Sequence, residues 1–175
     1  MIYMVEMQFT NTEREHDWHT WYLAHTTKLV RNVPGFTATQ RFRAITETAS
    51  PWLAMHEVAG PGVFESKEYK ANGGPASTGV WQKEHTNWYR NLFGGIEHTP
   101  DVAMDAHLLL ADEGVKLPAG IAMKWLTSEG LDKTVKARGF AIVAGGQAKP
   151  KLTADLFDVP GLRIFKPITP RVSRQ

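Results

Sequence analysis

The feature that most constrains this 175-residue chain is the order of its elements: an alternating run, a long amphipathic segment, then two more alternating runs. Ile2 to Thr10 alternates and is rich in β-formers, which predicts a strand. Asn11 or Thr12 can cap the segment that follows, with Glu13 and Glu15 in its first turn. From there to about Asn32, Trp18, Trp21, Tyr22, His25 and Leu29 fall at helical spacing, and Pro34-Gly35 ends the helix. Phe36 to Ile45 and Trp52 to Ala59 predict two strands around a Thr/Ser/Pro turn. Gly60-Pro61-Gly62 then breaks the chain before a short helix over about Val63 to Tyr69. The breaker-rich stretch Asn72 to Gly79 predicts a loop, either a lid or a plain connector. A second long helix is expected over about Val80 to Phe93, with Trp81, His85, Trp88, Tyr89 and Leu92 on one side. A strand at Val102 to Ala111 completes β-α-β-β-α-β, the split βαβ order of a ferredoxin-like fold.

The rest of the chain reads as a degenerate second copy. A shift of 104 positions sets Trp125 under Trp21, Gly139 under Gly35 and Phe140 under Phe36. That predicts another Trp-bearing helix leading into a Gly-Phe strand. Val102 to Ala111 matches the first strand and can serve both halves, while Ala154 to Val159 resembles the third. Leu162 to Ile168 is then reached without a second helix. The expected fold is α+β, ferredoxin-like and internally duplicated. Residues 1–111 form a complete half carrying the pocket, and residues 112–175 a degenerate half packed against it. Pro170 to Gln175 reads as a flexible end.

Composition narrows the function classes. Lys and Arg are scattered and the net charge is only +2, so the concentrated basic face of a nucleic-acid binder is not expected. There is no cysteine, which removes thiolate metal sites and Cys nucleophiles and fits a cytoplasmic setting. The N-terminus lacks a basic n-region, and no apolar run approaches a bilayer span, so neither a signal peptide nor membrane insertion is expected. Six Trp in a chain of this size fit either a large aromatic core or a pocket for a flat organic ligand.

Asp17-Trp18-His19-Thr20-Trp21-Tyr22-Leu23-Ala24-His25, Val33-Pro34-Gly35-Phe36 and Arg41-Phe42-Arg43-Ala44 resemble the EthD-like branch of the dimeric α/β-barrel superfamily. The resemblance covers about residues 1–111. It departs at Ala24, where the family often has a Glu before the His, so that carboxylate's role does not carry over. The resemblance implies a curved antiparallel sheet with outer helices, paired with a second sheet into a barrel. It also implies a homodimer, or a duplicated chain that pairs with itself. Relatives include lactone isomerases, polyketide cyclases, decarboxylases and cofactor-free oxygenases, so the fold does not fix the function.

His25 is the leading candidate for chemistry. On the aromatic stripe it is partly desolvated, which favours the neutral base form. The competing reading is a structural histidine bonded to a tyrosine or a carbonyl. His85 occupies the matching stripe of the second expected helix and, with Tyr22, is a candidate acid or orienting donor. Arg41 could anchor an anion beside His56, although a satisfied polar barrel interior competes. Tyr69 can donate to a substrate oxygen, and Trp21, Trp81 and Trp88 can stack on a ring; core packing explains the same aromatics. His16 and His19 have a zinc-compatible spacing but no third ligand placed by sequence. No P-loop, dinucleotide fingerprint or nucleophile elbow is present.

These residues point to a lyase or isomerase that needs no cofactor and acts on an oxygenated cyclic or aromatic metabolite by His-mediated proton transfer. A cofactor-free monooxygenase of phenols or quinones, a non-catalytic ligand carrier, and haem binding through a histidine are the alternatives.

Overall fold

The structure, a computed structural model, describes residues 1–144 and 152–174. Its elements are β1 (Ile2–Phe9), α1 (Glu15–Asn32), β2 (Phe36–Ala44), β3 (Trp52–Val58) and α2 (Lys67–Asn72). They continue with β4 (His85–Gly94), β5 (His107–Asp112), β6 (Lys124–Leu131), β7 (Ala137–Val143), β8 (Leu162–Pro167) and β9 (Val172–Ser173). The strands close into an eight-stranded antiparallel barrel in the order β3-β1-β4-β6-β7-β5-β8-β2, with β2 returning to β3 and β9 added beside β2. Within it, β1–β4 and β5–β8 share one layout: each lies fourth, first, third, second. The β4–β6 and β2–β8 ladders join the two runs. Among the described residues no helix is long and apolar enough to cross a membrane.

Side-chain alternation sorts the apolar residues into layers. Ile2, Met4, Phe42, Leu53, Met55, Phe93, Leu108 and Phe165 belong to one buried cluster, the barrel interior. There Glu6 takes ion pairs from Arg138 and Arg163, and both arginines also reach Asp112. The alternate residues of β1, Tyr3, Val5, Met7 and Phe9, pack outward with Trp18, Tyr22 and Leu29 of α1. Completely buried Trp18 anchors that helix, stacking on Phe9 with ring centroids 4.5 Å apart. The helix stops where expected, because Val33 precedes Pro34 and is extended. Gly35 then takes a φ of +88°, where a side chain would meet Val63 at 2.5 Å.

Several expectations are overturned. The second long helix over Val80–Phe93 is instead the end of a 3₁₀ stretch, Pro75–Glu84, followed by strand β4. The register of β4 against β1 explains the misleading spacing. Glu6 pairs with Tyr89 and Gln8 with Thr86, so Asn87 and Trp88 together face Met7 in a β-bulge. Asn87 adopts a φ of +46°, a conformation Asn tolerates. The bulge shifts the phase, placing His85 on the face of Trp88, Arg90 and Leu92, and the three-residue step imitates a helix.

The Trp125-bearing helix is strand β6, and Trp125 is 45% exposed rather than an anchor. Phe140 lies in the third strand of its run, whereas Phe36 opens the second of the other, so the 104-residue shift does not align equivalent strands. Ala154–Asp158 is a 3₁₀ turn. The tail is not free either, though Gln175 lies outside the described residues. Arg171 donates to Glu57 Oε2 at 2.9 Å, β9 pairs with Ala38 and Thr39, and Arg174 donates to the carbonyls of Val30, Arg31 and Val33.

Candidate functional site

The alternation of β1 and β3 and the bulge of β4 bring Tyr3, His56, His85 and Trp88 to the outer face of the sheet, beneath α1. From α1 come Trp21, Tyr22, His25, Thr26 and Leu29; from α2 comes Tyr69; Gly74 and Thr78 close the side. Together with Val5 and Arg90 they enclose a cavity of about 30 Å³. That is room for two or three waters at ~10–15 Å³ each. With every side chain where it stands, an aromatic ligand does not fit. A ring-sized ligand would need one of the bordering segments, such as the one that carries Gly74 and Thr78, to give way.

The sequence-derived candidates divide. His25, His85, Tyr22, His56, Tyr69, Trp21 and Trp88 all line this cavity. Trp81 sits behind them, its ring 6.1 Å from that of Trp21 and covered by the Arg14 guanidinium at 4.2 Å. Arg41 is not beside His56 in this cavity. It lies over the Tyr22 ring at 4.2 Å and lines a different groove. Tyr3, Thr26 and Arg90 were not singled out. Tyr3 could have been, since strand pairing sets it opposite His56, with the two rings stacked at 5.2 Å.

Burial sets the charge of the site. Desolvation lowers His25 to about 4, helped by Lys28, and lowers His56 to about 3, helped by His25 and Arg41. It lowers His85 to about 4 against the pull of Glu84. Burial raises Tyr22, with Arg41 opposing, and raises Tyr3 well above the ordinary phenol value, reinforced by Tyr69. At neutral pH the cavity therefore holds three neutral imidazoles and the protonated phenols of Tyr3 and Tyr22.

Tautomers follow from one hydrogen bond. Trp18 Nε1–H donates to His85 Nε2 at 2.8 Å. A neutral imidazole that accepts at Nε2 carries its proton on Nδ1. His85 Nδ1 is buried without a hydrogen-bond partner, as is Trp88 Nε1, with the two rings 5.2 Å apart. Each unpaired donor costs about 1–3 kcal/mol. Two such N–H groups beside a base can bind an oxygen atom and stabilise negative charge developing on it. Stacked on Trp21 at 5.1 Å, His25 is the least enclosed of the three histidines that line the cavity.

Among the described residues no three His, Asp or Glu side chains gather to hold an ion, and His19 of the His16/His19 pair instead accepts a hydrogen bond from Arg41.

No family model and no curated protein matches the chain. Among solved structures, one described as an anthrone oxidase-like protein matches with a TM-score of 0.53. The match covers 99% of this chain and 93% of that one, at 9% identity. The likeness is one of fold, and it runs through the barrel from end to end.

Proposed function

We propose that this chain is a small-molecule enzyme that moves a proton on an oxygenated cyclic or aromatic compound, in the manner of a lyase or isomerase. The observation that carries the reading is that His25, His85 and Trp88 line one cavity and that the buried ring nitrogens His85 Nδ1 and Trp88 Nε1 lack a hydrogen-bond partner. In this scheme His25 takes a proton from carbon or hydroxyl. His85 Nδ1–H and Trp88 Nε1–H receive the oxygen on which negative charge develops, and Tyr22 or Tyr69 returns a proton. Trp21 flanks the ring, and His56 supports the floor through its stack on Tyr3. The work falls to the protein's own side chains.

The same reading takes the barrel as two fused half-barrels, on the strength of the repeated strand order. It sets β5 at the start of the second and so moves the boundary from Ala111 into the loop after β4. The Trp21-Tyr22, His25 and Pro34-Gly35-Phe36 signature keeps the EthD-like branch as the proposed affiliation.

The test is exchange and turnover on a panel of phenols, cyclic ketones and anthrones, followed by NMR in D₂O. His25→Ala should lower turnover by about 10²–10⁴-fold, and His85→Phe by about 10²–10³-fold. Unchanged kcat/KM in His25→Ala would sink the mechanism. A second reading, oxidation by dioxygen after the same deprotonation, is favoured by the description of the structural neighbour as anthrone oxidase-like. Oxygen uptake with the panel separates the two, and saturable binding without any product favours a carrier.

A further inference from the structure

We propose a second ligand site on the opposite flank of α1, one that takes the carboxylate of an apolar organic acid. The groove there has a volume of about 410 Å³, far more than the histidine cavity, and stands open to solvent. Its walls combine apolar surface from Leu23, Trp52 and Ile168 with the guanidinium groups of Arg41 and Arg43. Leu23 is 40% exposed, a large apolar side chain left uncovered at the rim.

The arginines give the groove its chemistry. The buried guanidinium of Arg138 is met by Glu6 and Asp112, and the half-buried one of Arg171 by Glu57. Arg41 is just as buried, 3% exposed, yet no carboxylate lies within ion-pair distance among the described residues. Its Nη1 donates to the His19 carbonyl at 3.3 Å and its Nη2 to His19 Nδ1 at 3.1 Å. With Nδ1 accepting, His19 carries its proton on Nε2, which lies 3.7 Å from Glu15. Glu15, the groove's own acid, makes no ion pair with Arg41. Arg43 lies over the Trp52 ring at 4.9 Å, and among the described residues no carboxylate lies within ion-pair distance of it.

Guanidinium has five N–H donors, and Arg41 spends two of them on His19. A planar carboxylate suits what is left, because it accepts in a fork and supplies the missing charge. The Trp52, Leu23 and Ile168 surface would hold the acid's apolar body, so inorganic anions lack half of the match. Burial and the two arginines hold His19 down at about 4, so it brings no competing positive charge.

The test uses the intact chain with 2-naphthoate, its neutral counterpart 2-naphthalenemethanol, and inorganic phosphate, read by calorimetry and by NMR shifts of the Trp52 indole. Naphthoate should saturate, move the Trp52 signal and bind at least tenfold more tightly than the alcohol or phosphate. Arg43→Gln, at an exposed position, should weaken naphthoate at least tenfold, and Leu23→Glu should do the same by repulsion. His25→Ala should leave this binding unchanged, which keeps the outcome separate from that of the histidine cavity. Equal binding of acid and alcohol, equal binding of phosphate, or full affinity in Arg43→Gln would each overturn the proposal.

Discussion

Acid should destabilise this protein well above the pH at which carboxylates titrate, and His56 is the reason. Burial holds His56 at about 3 in the fold, against an ordinary value of 6.5. Between those values the unfolded chain binds a proton that the folded chain refuses, so stability falls as pH drops below 6.5. At pH 5 the solution is about 1.5 pH units below the unfolded value, and each unit costs about 1.36 kcal/mol. His56 alone therefore removes about 2 kcal/mol between pH 8 and pH 5. For a chain of this length that is a Tm drop of about 4–8 °C. His25 and His85 are lowered too and act in the same direction. Glu57 does not contribute in this window. Burial would raise it, but hydrogen bonds from Thr37, Thr99 and His98 and the charge of Arg171 hold it at about 2. Its stabilisation is intact above its ordinary 4.5 and is lost only as pH falls towards 2. The assay is thermal unfolding at pH 8, 6.5 and 5 of the wild type and His56→Gln, which keeps a polar side chain but cannot titrate. The wild-type Tm should fall by about 4–8 °C more than that of the variant. Parallel falls would refute the reasoning.

Three more outcomes follow from the same geometry. If His25 is the base, the acid limb of kcat/KM should fall near pH 4, not 6.5, because the residue stays neutral above that point; a limb at 6.5 would point to a different base. Gly73→Ala should cost about 1–3 kcal/mol, since the added carbon would sit 2.6 Å from the Tyr69 ring and 3.1 Å from Leu29; an unchanged Tm would show that the segment is looser than it stands. Nitrogen NMR of His85 should show the Nδ1–H tautomer in the wild type and lose that preference in Trp18→Phe; an Nε2–H signal in the wild type would remove one arm of the donor pair.

Much of the first half was legible because local and tertiary signals agreed there. α1 is closed by Pro34-Gly35, and its stripe of Trp18, Tyr22 and Leu29 buries as periodicity predicts. β1, β2 and β3 alternate cleanly apart from one irregularity near Phe36. β4 failed for a physical reason: its bulge inserts a residue and converts a two-residue period into a three-residue one. Periodicity reads any 85/88/92 spacing as a helix, and only the open edge of β1 decides for a strand. Even so, His85, Trp88 and Leu92 share one face in both readings, whereas Tyr89, expected with them, lies on the other. Arg41 went the other way. Its strand face was legible, but which side of Tyr22 it would occupy depends on how α1 crosses the sheet.

The two halves of the barrel treat the outside of the sheet differently, and this confines the proposed chemistry to the first. Over β1, β3 and β4 lies a helix, whose round cross-section leaves a gap on each flank: the histidine cavity on one, the arginine groove on the other. Over β5, β7 and β8 the covering is loop and 3₁₀ turn. Leu109, Ala141, Val143, Leu156 and Ile164 are sealed there by Val115, Leu117, Ile121, Met123, Leu152 and Val159. Side chains from loops can fold down onto a sheet individually, whereas those of a rigid helix meet it only along one stripe. Among the described residues the second face packs largely with aliphatic side chains, with Trp125 45% exposed beside Gly139 and His107 opposite Val143. An asymmetric barrel, with both proposed sites beside α1, follows from this packing.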